Sequence, residues 1–277
     1  FKLCCLLPRT FCRYLTNHPD SIIKKSCKKA FFVCRGLYRK WFKKESVPSA
    51  SIDNYDLGKT EIRKSAVNEL IRFKRGKLAI IIPTADRADV IANHLKACAK
   101  LYSDYDADII VFDSSNDTRT KDIVECWQQR NNINIRYEKY INHDLISLDE
   151  KVIAAYEQFA DDYEYLWVLR DKSGILMNNC ACSLMKHMGK NVDAIVVYNS
   201  IDERREVCRE IYTDCRRLFL DEFNLMTTLG QTIVRGSFIK KVIREVPLSE
   251  KNYGMWQPIA FFEYIAHHDF KIAACSG

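Results

Sequence analysis

Along the chain the spacing of apolar positions changes several times, and each change marks an element. Leu78 to Ile82 is an unbroken apolar run, too short for a helix, rich in β-branched residues and stopped by Pro83. That is the pattern of a strand buried on both faces, which predicts a parallel sheet. From Asp86 to Leu101 the period lengthens. Val90, Ile91, His94, Leu95, Cys98 and Leu101 recur at helical spacing and form one stripe, with Thr84 or Asp86 placed to cap it. A second apolar run, Ala107 to Phe112, ends at Asp113 and a polar turn, Ser114 to Asp117. Strand, helix and strand thus form one unit with a carboxylate at the second strand's carboxyl end. In open parallel sheets ligands bind in the crevice outside those ends.

The same reading continues downstream. It predicts a helix near Lys121 to Gln129, a strand from Ile133 to Tyr137 and a loop from Glu138 to Ser147. A helix from Leu148 to Phe159 follows, turning Val152, Ile153, Ala155, Tyr156 and Phe159 inward, and then a strand from Tyr165 to Leu169. Leu176 to Met188 reads as a helix, Ala194 to Tyr198 as a strand, and the charged Glu203 to Arg217 as an exposed helix or loop. Thr232 to Val234 is a strand, with Ser237 capping a helix from Phe238 to Arg244. A last helix carries Ile259, Phe262, Glu263 and Ala266 before a closing strand, Phe270 to Ala273.

"IIIPTADR" followed by "IVFDSSNDT" resembles the nucleotide-sugar-binding half of glycosyltransferase family 2, and looser similarity runs from Leu78 to about Ala274. The resemblance implies an α/β GT-A fold, a Rossmann-like, mostly parallel sheet flanked by helices. Pro83, Thr84, Arg87, Asp113, Ser115 and Asp117 match the family's pattern in type, while Ala85 and Asp86 stand where Tyr and Asn are usual. Of these, Pro83, Thr84, Arg87, Asp113 and Ser115 are implied donor-binding residues. The strand from Tyr165 would end in an Asp-x-Asp motif, whose paired carboxylates bind Mg²⁺ or Mn²⁺ bridging the donor's phosphates. Here the residues are Arg170, Asp171, Lys172 and Ser173, so Asp171 alone remains as a metal-ligand candidate. Arg170, by a guanidinium fork, and Lys172, as a point charge, are candidates to neutralise the diphosphate without a metal. The alternative is that they only pair with Asp171 or neighbouring acids. Gln257 and Pro258 stand where the family places its acid, so the base that takes the acceptor's proton falls to Glu263, with His267 or His268 as alternatives.

Charge changes the picture only at the N-terminus. Residues 1–47 hold twelve Lys and Arg against Asp20 and Glu45, a net +10, so the remainder carries −3 of the total +7. Aromatic and aliphatic residues alternate with the basic ones over 1–45, which predicts a helical appendage. Its face suits an anionic membrane surface or, the reading more favoured, packing of a helical hairpin on the catalytic domain with a solvated Lys/Arg face. No nucleic-acid-binding module is recognisable. Residues 46–76 read as a linker and lead-in helix, and 77–277 as the GT-A-like domain. Phe1 in place of Met, and Gly277 just after a strand-like run, suggest a fragment truncated at one or both ends. The twelve cysteines show no Cys-x-x-Cys framework and read as reduced thiols of a cytoplasmic protein, one that the membrane reading of residues 1–45 would set at the inner face of the plasma membrane.

The resemblance implies an inverting glycosyltransferase that uses a nucleotide diphosphate sugar, UDP-linked by preference, on a glycan or lipid-linked acceptor in bacterial envelope or capsule polysaccharide synthesis. The loss of both acidic signatures leaves a second expectation, a non-catalytic GT-A relative that binds a nucleotide sugar or a partner glycosyltransferase. The absence of glycine from Pro83 to Asp89 argues against a nucleotidyltransferase, which would carry a Gly-rich phosphate loop there.

Overall fold

The computed structural model describes residues 77–104, 107–130, 134–141, 147–171, 187–198 and 211–276. The basic segment 1–45, the linker 46–76, Lys172 and most of the expected helix 176–188 lie outside the described residues.

Two apolar runs become the central strands β1 (Leu78–Thr84) and β2 (Asp108–Asp113), joined by helix α1 (Ala88–Asp104). Helix α2 (Arg119–Arg130), β3 (Ile135–Lys139), α3 (Leu148–Phe159) and β4 (Tyr165–Val168) follow. The second half holds β5 (Ala194–Tyr198), β6 (Ile211–Tyr212), α4 (Cys215–Met226), β7 (Thr232–Arg235), α5 (Gly236–Glu245), α6 (Trp256–Ile265) and β8 (Ile272–Ser276). All eight strands form one sheet in the order β3-β2-β1-β4-β7-β5-β8-β6. Strands β1 to β4 run parallel, β7 runs against β4 and β5, and β6 against β8. This is the mainly parallel, helix-flanked α/β class that the strand pattern implies.

Alternation along each strand sorts side chains to the two faces. Ile80, Ile82, Ile109, Val111 and Trp167 share one core with Ile91 and Leu95 of α1 and Val124 of α2. On the other face Phe112 packs edge-on to Phe159 of α3, with ring centroids 5.8 Å apart. Below, Phe238 of α5 meets Phe261 of α6 in the same manner at 5.6 Å. Gly236 opens α5 where the chain leaves β7, and its N–H donates to the Glu164 carbonyl at 2.9 Å. A Cβ there would run into the carbonyl oxygens of Ala160 and Tyr163, so the close approach requires glycine.

The strand β1 does not stop at Pro83 but continues through Thr84, pairing Pro83 with Phe112 and Thr84 with Asp113. On its other side pairing with β4 ends at Ile81 opposite Val168, after Leu169 donates its N–H to the Ile81 carbonyl. Pro83 faces β4 and has no N–H to extend that ladder, so the two strands part there. That parting opens the crevice.

Several expected elements are corrected. Ser237 is no cap: β7 runs straight into α5, whose N-cap is Arg235 with no side-chain bond. Neither Thr84, which is strand, nor Asp86 caps α1; the Asp86 carboxylate is spent on the neighbouring loop. Of the stretch expected to be exposed, residues 203–210 lie outside the described residues and 211–217 are largely exposed; beyond the N-cap Asp214 the chain forms α4, which buries Leu218, Phe219, Glu222 and Met226. The strand expected at Ile133 begins at Ile135, and the last begins at Ile272. None of the described helices is long and apolar enough to cross a membrane.

Candidate functional site

The carboxyl ends of β1 and β2 are tied to each other before anything else is built on them. Ser114 N–H donates to the Thr84 carbonyl at 3.0 Å. Asp86 N–H donates to Ser115 Oγ at 2.7 Å, and Asn116 N–H returns a bond to Asp86 Oδ1 at 3.0 Å. This reciprocal clip holds Asp86 at φ +51°, a left-handed conformation that Asp tolerates better than most residues. It also fixes the two loops that rim the crevice.

Asp113 is fully buried at the end of β2. Its Oδ1 accepts from the backbone N–H of Ser115 at 2.9 Å and from the Ser115 hydroxyl, and its Oδ2 accepts from Tyr137 Oη on β3 at 3.1 Å. Burying a carboxylate without such donors would be costly. The phenol of Tyr137 is pushed up, by burial first and then by the charge and hydrogen bond of Asp113. Two lysines flank this acid. Lys139, level with Asp113 across the β2–β3 ladder, donates to the Ser115 carbonyl.

Lys151 is the residue that sequence reasoning missed. It lies in the first turn of α3, behind a capping box of Ser147 and Glu150, and only 4% of it is exposed. Its Nζ donates to the Thr84 carbonyl and to Ser114 Oγ at 2.8 Å. Burial pulls its pKa down to about 8, against the attraction of Asp113. A signal was present: Lys151 stands four residues before Ala155 on the inward stripe of the helix, where a solvated lysine has no place.

At the end of β4, Arg170 is exposed and Asp171 is buried. Asp171 is paired not with Arg170 but with Arg87, whose Nη1 donates to both carboxylate oxygens, at 3.1 and 3.3 Å, while Lys172 lies outside the described residues. Arg87 precedes α1 by one residue, and its carbonyl accepts from Ile91 N–H. His94, seven residues on, shares that helical face and contacts Asp171 from the core side. Its pKa is lowered by burial, opposed by a hydrogen bond to the Asp171 backbone and by the Asp171 charge.

Among the expected site residues, the crevice thus gathers Pro83, Thr84, Arg87, Asp113, Ser115, Arg170 and Asp171. Glu263 is not gathered with them. It sits in the last turn of α6, half-exposed, beside Tyr264, which packs edge-on to Phe238 near the start of α5. Since α5 begins where β7 ends, at the amino edge of β4, Glu263 belongs to the opposite edge of the sheet from the crevice. His268 stacks on Tyr264 and pairs with Glu245 at 2.7 Å, and His267 is exposed beside it. Gln257, at the start of α6, is buried, and its Oε1 has no hydrogen-bond partner among the described residues.

The described residues do not fit a divalent cation at Asp171. Mg²⁺ and Mn²⁺ want several oxygen ligands, yet no group of three His, Cys, Asp or Glu side chains is assembled among the described residues, and Asp171 already holds a guanidinium.

No family model matches the chain, and no curated protein matches it. Solved structures do resemble it. The structure of S. aureus TarS 1-349 has a TM-score of 0.49 at 16% identity, covering 72% of this chain and 57% of that one. The mannosyltransferase PcManGT from Pyrobaculum calidifontis, in complex with GDP-Man and Mn²⁺, has a TM-score of 0.45 at 12% identity, covering 92% of this chain and 67% of that one. The 4-diphosphocytidyl-2C-methyl-D-erythritol synthase from Anaerococcus prevotii has a TM-score of 0.46 at 13% identity, covering 73% and 90%. The chain spans less than two thirds of the length of the TarS structures. All these scores lie below 0.5, so the side chains described above carry the functional reading.

Proposed function

We propose that this chain is an inverting glycosyltransferase that takes its sugar from a nucleotide diphosphate sugar and delivers it to a hydroxyl acceptor. The observation that carries the reading is the buried, charge-flanked Asp113 at the carboxyl end of β2, one strand from the Arg87–Asp171 pair at the end of β4. Asp113 and Lys151 are buried with their polar atoms engaged, so they serve by holding the loops after β1 and β2, whose backbone and hydroxyl groups rim the crevice where a nucleobase or ribose would lie. Arg87 and Arg170 offer guanidinium N–H groups to a diphosphate. Lys172 would add a third cation. With the donor so held, the acceptor hydroxyl attacks the anomeric carbon directly, its proton passes to a base, and the departing nucleoside diphosphate takes up the bonding electrons beside those cations. An acceptor of glycan or lipid-linked type, met at a membrane surface through residues 1–45, is the partner that fits the basic N-terminus.

A second reading is favoured by one specific observation: Asp171 is committed to Arg87, and Gln257 and Pro258 occupy the start of α6 where an acid would act. Under it the chain binds a nucleotide sugar without turning it over. The deciding experiment measures UDP release from UDP-sugars with and without a panel of glycan acceptors, alongside calorimetric binding of UDP. Release that is lost in Asp113→Ala supports the transferase. Binding with no release across the panel supports the binder, and no binding of UDP overturns both.

A further inference from the structure

Resting on the nucleotide-sugar reading, we infer that the guanidinium of Arg87, held by Asp171, does the work a divalent cation would do in the diphosphate subsite, so that this chain binds its donor without metal. In a metal-dependent site a pair of carboxylates draws in the cation, and the cation then draws in the phosphates. Here the charges are arranged differently. Of the two buried acids at the strand ends, Asp113 has both oxygens occupied by Ser115 and Tyr137. Asp171 has both oxygens on Arg87 Nη1. A cation approaching Asp171 would have to displace a guanidinium and would meet the exposed Arg170 next in sequence, both repulsive to it.

The same geometry equips Arg87 for an anion. Among the described residues only Nη1 of Arg87 is engaged, by Asp171, which leaves the three N–H groups of Nη2 and Nε for phosphate oxygens. The side chain of Arg87 is 52% exposed and that of Asp171 10%, so the pair presents its positive end outward and buries its negative one. Asp171 is then a positioning residue. It fixes the guanidinium over the crevice, and His94, sharing the Arg87 face of α1, supports the acid from the core side. A surface pair would dissolve into solvent for little cost; this one is anchored because its acid is buried.

The test is calorimetric titration of UDP into the full chain, in EDTA and then with Mn²⁺ in excess. It uses wild type, Arg87→Ala, Arg87→Lys and Asp171→Asn, with thermal unfolding of each variant as the folding control. Manganese binding is read separately from the Mn²⁺ paramagnetic resonance signal without nucleotide. The expected result is equal UDP affinity in both buffers, a loss of about 10- to 100-fold in Arg87→Ala, partial rescue by Arg87→Lys, a smaller loss in Asp171→Asn and no Mn²⁺ uptake. UDP binding that needs Mn²⁺, is lost in Asp171→Asn and survives in Arg87→Ala would overturn the inference while leaving the nucleotide-sugar reading intact. No UDP binding in either buffer would overturn both.

Discussion

Replacing Lys151 by Met removes one buried charge together with its hydrogen bonds to the Thr84 carbonyl and Ser114 Oγ, and only the charge titrates, which makes the pH dependence calculable. The ammonium has an ordinary pKa of 10.5 in the unfolded chain and about 8 in the folded one, with burial the larger cause. Between those values the unfolded chain holds a proton that the native state has released, so this group makes the protein more stable as pH rises. The full gap corresponds to about 3 kcal/mol, of which about 2 kcal/mol is recovered between pH 7 and pH 9.5. Methionine has similar length and no titration. Urea unfolding of wild type and Lys151→Met across that range should therefore give a difference that moves in favour of wild type by about 2 kcal/mol. Tyr156 and Tyr163 are also pushed up by burial and weaken the fold only at more alkaline pH, and they do so in both proteins. Ser114 N–H still satisfies the Thr84 carbonyl in the variant, so no buried acceptor there is orphaned. A flat difference curve, or one moving against wild type, would refute the argument that Lys151 is a desolvated ammonium.

Three further outcomes are expected. Gly236→Ala should lose about 1–3 kcal/mol in urea unfolding because its Cβ would press on the Ala160 and Tyr163 carbonyls; an unchanged midpoint would mean that α3 and α5 can move apart. Arg235→Met should lose about 2–3 kcal/mol, since Arg235 joins the Val192 carbonyl at 3.0 Å, the Tyr165 hydroxyl at 2.6 Å and the Asn191 side chain. Thermal unfolding of that variant at wild-type stability would show those bonds to be dispensable. Glu263→Gln should keep sugar transfer within a few-fold in a UDP-release assay, given its position at the far edge of the sheet; a loss of more than about 100-fold would make Glu263 the base after all.

What the sequence made legible follows from how strongly each feature was constrained. Leu78–Ile82 and Ala194–Val197 are buried on both faces, so continuous apolar runs named them. The edge strand β3 has no such run: it alternates Ile135, Arg136, Tyr137 and Glu138, and its bounds lie two residues beyond those expected. Helix α4 escaped because its inward stripe contains Glu222, whose carboxylate accepts from the buried Tyr212 hydroxyl at 2.9 Å, and a glutamate reads as a solvent face.

The site divides along the same line. Asp113 was readable because a strand end and a polar turn locate it locally. The partner of Asp171 was not, and the reason is geometric. Consecutive residues leaving a strand point to opposite sides, so Arg170 faces out while Asp171 turns in, and the two cannot pair however close they stand in sequence. The acid turned inward at the end of β4 is met by a group coming over the neighbouring strand: the α1 start that follows β1 supplies Arg87 from 84 residues away. Arg87 was already legible as a crevice residue, and Asp171 as the surviving carboxylate. Only the sheet order, which sets β1 beside β4, makes them one unit.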